Sequence, residues 1–241
     1  MSVEKPSPNC SQPTAPVHLN LQIDLGLAVT DPLAGESAPA RRTLIHIPVI
    51  HTEADMGSLS PAIKERMAQR SGVQQWERNA DRIDELWTWI ENMIAGWSLP
   101  YEKVRIYQDG LPVCAQKLAI VIVQDLAKTG SRNHQLLLHL REKGATIMGT
   151  ESAELLVREY QFIQSTLNAV QSADKPHLKS DQATLGRELL EQRDQAIADR
   201  INRTLGPGEV GLIFLGMLHS PDKWLAADIR VIRTIYPEPP R

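Results

Sequence analysis

The sequence predicts an α/β fold: a mostly parallel central sheet of about four or more strands, with helices on both faces. Three observations predict it. Strand-like apolar runs at 43–50, 103–108, 145–149 and 210–216 alternate with stretches of helical periodicity. Right-handed crossovers between such units make a parallel sheet the economical arrangement. Polar residues follow the runs, at His51, Asp109, Glu151 and His219. Parallel strands would deliver all four to the carboxyl edge, where α/β sheets bind ligands.

Composition sets the outer limits. The chain has 241 residues, 42% hydrophobic and 23% charged, which is ordinary globular usage and enough length for a large core. Its 26 basic and 29 acidic residues are interspersed, so no nucleic-acid footprint is expected. Cys10 and Cys114 form no CxxC pattern, and a reducing, cytoplasmic setting is the default reading. The longest apolar runs, 118–123 and 211–218, are far shorter than the roughly 20 residues of a membrane span. The first residues lack the apolar stretch of a secretory signal.

Residues 1–40 read as a flexible N-terminal tail, with a candidate edge strand where Leu19, Leu21, Ile23 and Leu25 alternate. Residues 41–241 are expected to form a single α/β domain. TLIHIPVI at 43–50 alternates weakly, as suits a strand covered on both faces, and stops at His51. From 61 to 97, Trp76, Ile83, Trp87, Ile90, Ile94 and Trp97 recur at three, four or seven, which predicts a helix with a wide apolar stripe facing the core. KVRIYQ at 103–108 is a short strand closed by the Asp109-Gly110 turn, with Pro112 barring a central strand beyond it.

AIVIV, within 113–127, suits either a buried strand or a buried helix; helix is preferred, because a second helix, Asn133 to Lys143, follows with Ser131 as its cap. ATIMG at 145–149 is a strand, followed by a helix carrying Leu156, Tyr160, Ile163, Leu167 and Val170 on one face. The polar stretch 172–182 reads as a surface linker, and a helix covers about 184–205 before GPGE stops it. VGLIFLG at 210–216 is the most convincing buried strand, and Ser220-Pro221 should start a further helix.

The strand ends carry the chemistry. Imidazole and carboxylate suit a divalent zinc, manganese or iron ion, and two histidines with one or two carboxylates leave a coordination position for water. His51, Asp109 and His219 are the expected ligands; Glu151, Arg193 and Asp194 are the expected catalytic groups. Arg193 lies on the apolar side of its helix and therefore needs an anion or a ring of acceptors. The competing reading is that strand ends are turns, where such residues merely cap and solvate. His46 would face away from His51 and be structural, while Asp125, His134 and His139 read as surface or hydrogen-bonding groups. GxGxxG, Walker, HExxH and GxSxG motifs are absent, so Ser58, Ser131 and Ser220 have no claim as nucleophiles.

LLEQRDQAIADRINRTLGPGEVGLIFLGMLHS, residues 189–220, resembles the C-terminal signature of the TraB, Tiki and GumN-like group, related to ChaN-like and erythromycin-esterase-like proteins. An Arg followed by an acidic or amide residue on a helix, then a strand ending in GxxH, carries the resemblance. It implies that Gly216 and His219 are the second GxxH pair and that Arg193-Asp194 is the helical pair. The first histidine would be His51 in IPVIHTEADMG, with Pro48 where the pattern has glycine, and Asp109 stands where glutamate is more typical. Some members of the group are metal-dependent proteases; others are associated with haem or pheromone processes.

The resulting expectation is a metal-dependent hydrolase of an amide or ester bond, acting on a small-molecule or peptide substrate. Two alternatives stand beside it. One is a noncatalytic protein binding haem or an anionic metabolite in the same cleft. The other is a regulatory homo-oligomer joined through the tryptophan-rich helix.

Overall fold

Strand β1 (Arg42–Val49) sends Ile45, Ile47 and Val49 to one face of the sheet and Leu44 to the other, and all four are buried. The computed structural model describes residues 41–50, 52, 55, 73–169 and 176–236, excluding the side chains of 73–79, 167–169 and 176–181. The expected tail and edge strand at 1–40, and His51, lie outside the described residues.

After β1 come α1 (Val73–Ala95), β2 (Val104–Pro112), α2 (Gln116–Lys128), α3 (Arg132–Glu142), β3 (Thr146–Glu151), α4 (Ala153–Ala169), α5 (Pro176–Thr204), β4 (Val210–Gly216) and β5 (Ile229–Arg233). The sheet order is β3-β2-β4-β1-β5, and every pairing is parallel. All five strands therefore point their carboxyl ends to one edge. No helix among the described residues is long and apolar enough to cross a membrane.

Side-chain alternation divides the core into two layers. On one face, Trp87, Ile90 and Ile94 of α1, Ala119 and Val123 of α2, and Leu136, Leu137 and Leu140 of α3 cover Ile45, Ile47, Ile106, Ile147 and Phe214. On the other, Ile197 and Ile201 of α5, with Leu205 just past its end, cover Leu44, Tyr107, Ile213 and Leu215. Each large aliphatic side chain so buried stabilises the fold by about 2 kcal/mol. Two indoles of α1 are used inward: Trp87 is fully buried, and Trp89 stands edge-on to Tyr236 with ring centroids 5.4 Å apart.

Four local expectations are corrected. Strand β2 does not stop at Gln108 but continues through Asp109 to Pro112. Its pairing with β4 ends at Gln108 opposite Phe214, and beyond a register shift Pro112 pairs only with Glu151 of β3. Proline lacks an N–H, and on this one-sided stretch none is needed toward β4. Gly110, at φ +73°, supplies the left-handed backbone of the irregularity. Opposite it, a Cβ on Gly149 would lie 2.1 Å from the Pro112 carbonyl oxygen, so only glycine lets the two strands approach.

The linker expected at 172–182 is, from Pro176 onward, the beginning of α5. Proline suits a first helical position because its N–H would be unsatisfied there anyway. After β4, Pro221–Trp224 makes a single 3-10 turn rather than a full helix, and the Ser220 side chain caps nothing. The fifth strand, IRVIR, follows at the sheet edge beside β1.

Candidate metal centre at the carboxyl edge

Neighbouring strands run about 4.8 Å apart, so groups at the ends of adjacent strands meet without further design. Strands β3, β2 and β4 are adjacent, and they contribute Glu151, Asp109 and, three residues past Gly216, His219. The His219 N–H donates to the Gly216 carbonyl at 3.0 Å, which closes the GxxH turn. Asp109, Glu151 and His219 are buried, and one ligand atom from each lies within 4.8 Å of the others. The protein therefore presents a buried triad able to coordinate a divalent metal ion.

Hydrogen bonds fix the orientation of two members. The Gly216 N–H donates to Asp109 Oδ2 at 2.8 Å. His219 Nδ1 lies 2.5 Å from Asp194 Oδ1, and Asp194 Oδ2 accepts the Ser220 N–H at 2.8 Å. An ionised carboxylate only accepts, so Nδ1 carries the hydrogen and Nε2 faces Asp109 Oδ2, 3.7 Å away. A carboxylate behind an imidazole sets the tautomer in this way at many metal sites. Burial draws the His219 pKa down, but the Asp194 hydrogen bond and the Asp109 charge outweigh it and leave the imidazole above its ordinary value.

Arg193 enters from α5. Its Nη2 donates to Asp109 Oδ1 at 2.9 Å and to Glu151 Oε1 at 2.7 Å, Nε reaches Glu151 Oε2 at 3.3 Å, and Nη1 pairs with Glu159. The ring of acceptors that its position on the helix demanded is thus three carboxylates. Burial raises the Glu151 carboxyl above its ordinary range despite Arg193. Four carboxylates, Asp109, Glu151, Glu159 and Asp194, meet one guanidinium and one imidazole. With all four carboxylates ionised and the imidazole neutral, as a metal ligand must be, the cluster carries three excess negative charges, a setting that favours a divalent cation.

A cavity of about 660 Å³ opens on this cluster, lined by Asp109, Glu159, Arg193 and His219, by apolar groups such as Leu126 and Ile163, and by Asp55 and His134. Five of the six residues singled out in the sequence, Asp109, Glu151, Arg193, Asp194 and His219, share one hydrogen-bonded cluster. The sixth, His51, lies outside the described residues, although Val49 pairs with Gly216 and so strand one ends beside strand four. His46 is buried within β1, and burial with the Arg233 and His219 charges lowers its pKa to about 4.

Asp125 and His139 are exposed, as expected. His134 falls on the hydrogen-bonding side of its expectation: it is buried and bound to Ser131. Glu159 was missed, although it lies four residues before Ile163 on α4, the same charge-on-an-apolar-face signal that singled out Arg193. No family model, curated protein or solved structure matches the chain.

Proposed function

We propose that the protein is a hydrolase that cleaves an amide or ester bond with a divalent ion held by Asp109, Glu151 and His219. The observation that carries the reading is the buried triad, whose ligand atoms lie within 4.8 Å of one another in a cluster of excess negative charge. Two carboxylates and an imidazole suit zinc, manganese or iron. When bound, such an ion supplies Lewis acidity and lowers the pKa of a coordinated water. Asp194 holds the His219 tautomer, the Gly216 N–H holds Asp109, and Arg193 holds Glu151 and balances charge.

The resemblance of 189–220 to the TraB, Tiki and GumN-like group supports the same assignment, since Arg193, Asp194, Gly216 and His219 are the residues that carry it. The anionic-metabolite reading has less support, because the Arg193 guanidinium already donates to Asp109, Glu151 and Glu159. The oligomer reading loses its motive where Trp87 and Trp89 pack within the chain.

Calorimetric titration of the chelator-treated protein with zinc, manganese and ferrous ions tests the site, and anomalous diffraction locates the ion. One ion per chain at Asp109, Glu151 and His219, with hydrolysis of ester or peptide probes dependent on it, is the expected result. Failure of all three ions to bind at micromolar concentration sinks the proposal.

A further inference from the structure

The cavity has a second polar wall, built by residues that the metal centre does not use. Asp55 Oδ2 accepts the Thr52 N–H at 2.6 Å and the Thr52 hydroxyl at 2.8 Å, while Oδ1 accepts the Ser131 hydroxyl. Ser131 Oγ lies 2.7 Å from His134 Nδ1 and caps α3 by accepting the His134 N–H at 3.3 Å. The three side chains are nearly sealed: Ser131 is 0% exposed, and the side chains of His134 and Asp55 are 6% and 2% exposed.

Hydrogen counting fixes the state of this chain. Asp55, an ionised carboxylate that accepts three hydrogen bonds and has His134 Nδ1 3.4 Å from its Oδ1, has no hydrogen to give. A hydroxyl has one hydrogen, and the Ser131 hydrogen goes to Asp55. Ser131 Oγ must then accept from the imidazole, so the neutral ring carries its hydrogen on Nδ1 and its lone pair on Nε2. The Nε2 atom makes no hydrogen bond among the described residues, and it is not one of the buried polar atoms without a partner. His134 lines the cavity, with the Nδ1 edge of its ring turned to Ser131. Aspartate, serine and histidine here run in an order that disables the serine as a nucleophile and leaves the imidazole as the base.

We propose that His134 is the acid–base residue of the cleft, with Asp55 and Ser131 as positioning residues that hold its Nε2 lone pair toward the cavity. This rests on the hydrolase reading of the metal centre. In the reaction, Nε2 takes a proton from the water whose oxygen bonds to the amide or ester carbon. As the bond to the leaving nitrogen or oxygen breaks, the same proton passes to that atom and the ring returns to neutral. The net change is addition of one water across one bond, with no oxidant or reductant.

The test begins with the wild-type protein labelled with 15N in its histidines, observed by long-range proton–nitrogen correlation above pH 8. His134 is expected as the Nδ1–H tautomer. In Asp55→Asn, the Thr52 N–H still requires an acceptor, so the amide carbonyl stays with Thr52 and the NH2 turns to Ser131. The Ser131 hydroxyl then donates to Nδ1 and the ring hydrogen moves to Nε2. Ser131→Thr keeps the hydroxyl and should keep the wild-type tautomer.

The second readout is acetohydroxamate binding to the zinc-loaded protein, by calorimetry in buffers of different ionisation enthalpy. At a pH below the pKa of the coordinated water, chelation displaces neutral water and frees one proton; the wild type is expected to retain it on His134, and Asp55→Asn and His134→Gln are expected to release about one proton to buffer. A wild-type His134 with its hydrogen on Nε2 overturns the inference, as does a wild type that releases the proton as the variants do. A protein that takes up no zinc while His134 keeps the Nδ1–H tautomer overturns the metal reading instead and supports the hydrogen-bond relay.

Discussion

His219 Nδ1 stands 2.5 Å from Asp194 Oδ1, joining the turn after β4 to the middle of the helix that precedes the strand. The contact decides which nitrogen faces Asp109. It therefore separates the two residues in role: His219 offers a lone pair, and Asp194 makes that lone pair available.

Asp194→Asn keeps the shape of the side chain and removes the charge that holds the tautomer. Zinc affinity should fall by about 10-fold to 100-fold, the usual loss when a partner behind a metal-binding histidine is changed. His219→Ala should abolish zinc binding with the fold retained, because the Gly216 turn and the Ser220 N–H anchor the backbone. Isothermal calorimetry and thermal melts on the same samples check both. Unchanged zinc affinity in His219→Ala would remove His219 from the site.

Arg193→Met leaves Asp109 and Glu151 buried without their counter-charge. Breaking a buried pair in this way costs about 3–5 kcal/mol. Zinc should restore much of the loss, because the ion replaces the missing positive charge at the same carboxylates. Urea unfolding with and without zinc gives the comparison. A destabilised variant indifferent to zinc would mean that the carboxylates serve Arg193 alone.

Two histidines should shape the stability of the metal-free protein in opposite ways. The folded pKa of His46 is lowered to about 4, so between pH 6.5 and 4 the unfolded chain binds the extra proton. Its contribution makes stability fall as pH drops through that window, by about 3 kcal/mol in all. The folded pKa of His219 is raised, so its contribution is fully present below pH 6.5 and is lost as pH rises through its folded value. Chemical unfolding across pH in chelator, for wild type, His46→Asn and His219→Asn, should show the slope between pH 6.5 and 4 shrink in the first variant and the slope above pH 6.5 shrink in the second.

Gly149→Ala places a methyl group against the Pro112 carbonyl, where backbone faces backbone and nothing can rotate aside. A loss of about 3 kcal/mol is expected, at the upper end of ordinary overpacking. Glu151 lies two residues further along β3, so zinc affinity should weaken along with the melting temperature. A stable variant that binds zinc normally would show that the strands separate without cost to the site.

Much of this site was legible because strand ends in a parallel sheet need no side-chain detail to be brought together. Apolar runs placed Glu151 and His219 at two ends, and a charge on an apolar helix face placed Arg193. Asp109 was found for a partly mistaken reason: it lies inside β2, where a register shift rather than a turn aims it. Such irregularities depend on which neighbour a strand still has, and only the sheet order reveals that. Glu159 was hidden, and His134 was read only as a surface or hydrogen-bonding group, because neither sits at a strand end. Strand β5 was hidden because five residues, two of them arginines, carry too weak a pattern.

Among the described residues, strand β1 pairs only with β4 and β5, and both are far later in the chain. As the polypeptide leaves the ribosome, β2 can find β3 within a few dozen residues, but the apolar ribbon of Ile45, Ile47 and Val49 must wait until residue 216 has emerged. An unpaired strand of this kind is a natural target for chaperones and for mispairing between nascent chains. When β4 arrives it slots between β1 and β2 and delivers His219 in the same event. Joining the two halves of the sheet and completing the ligand set are thus one step in the birth of the protein, and an abortive chain that lacks β4 gains neither.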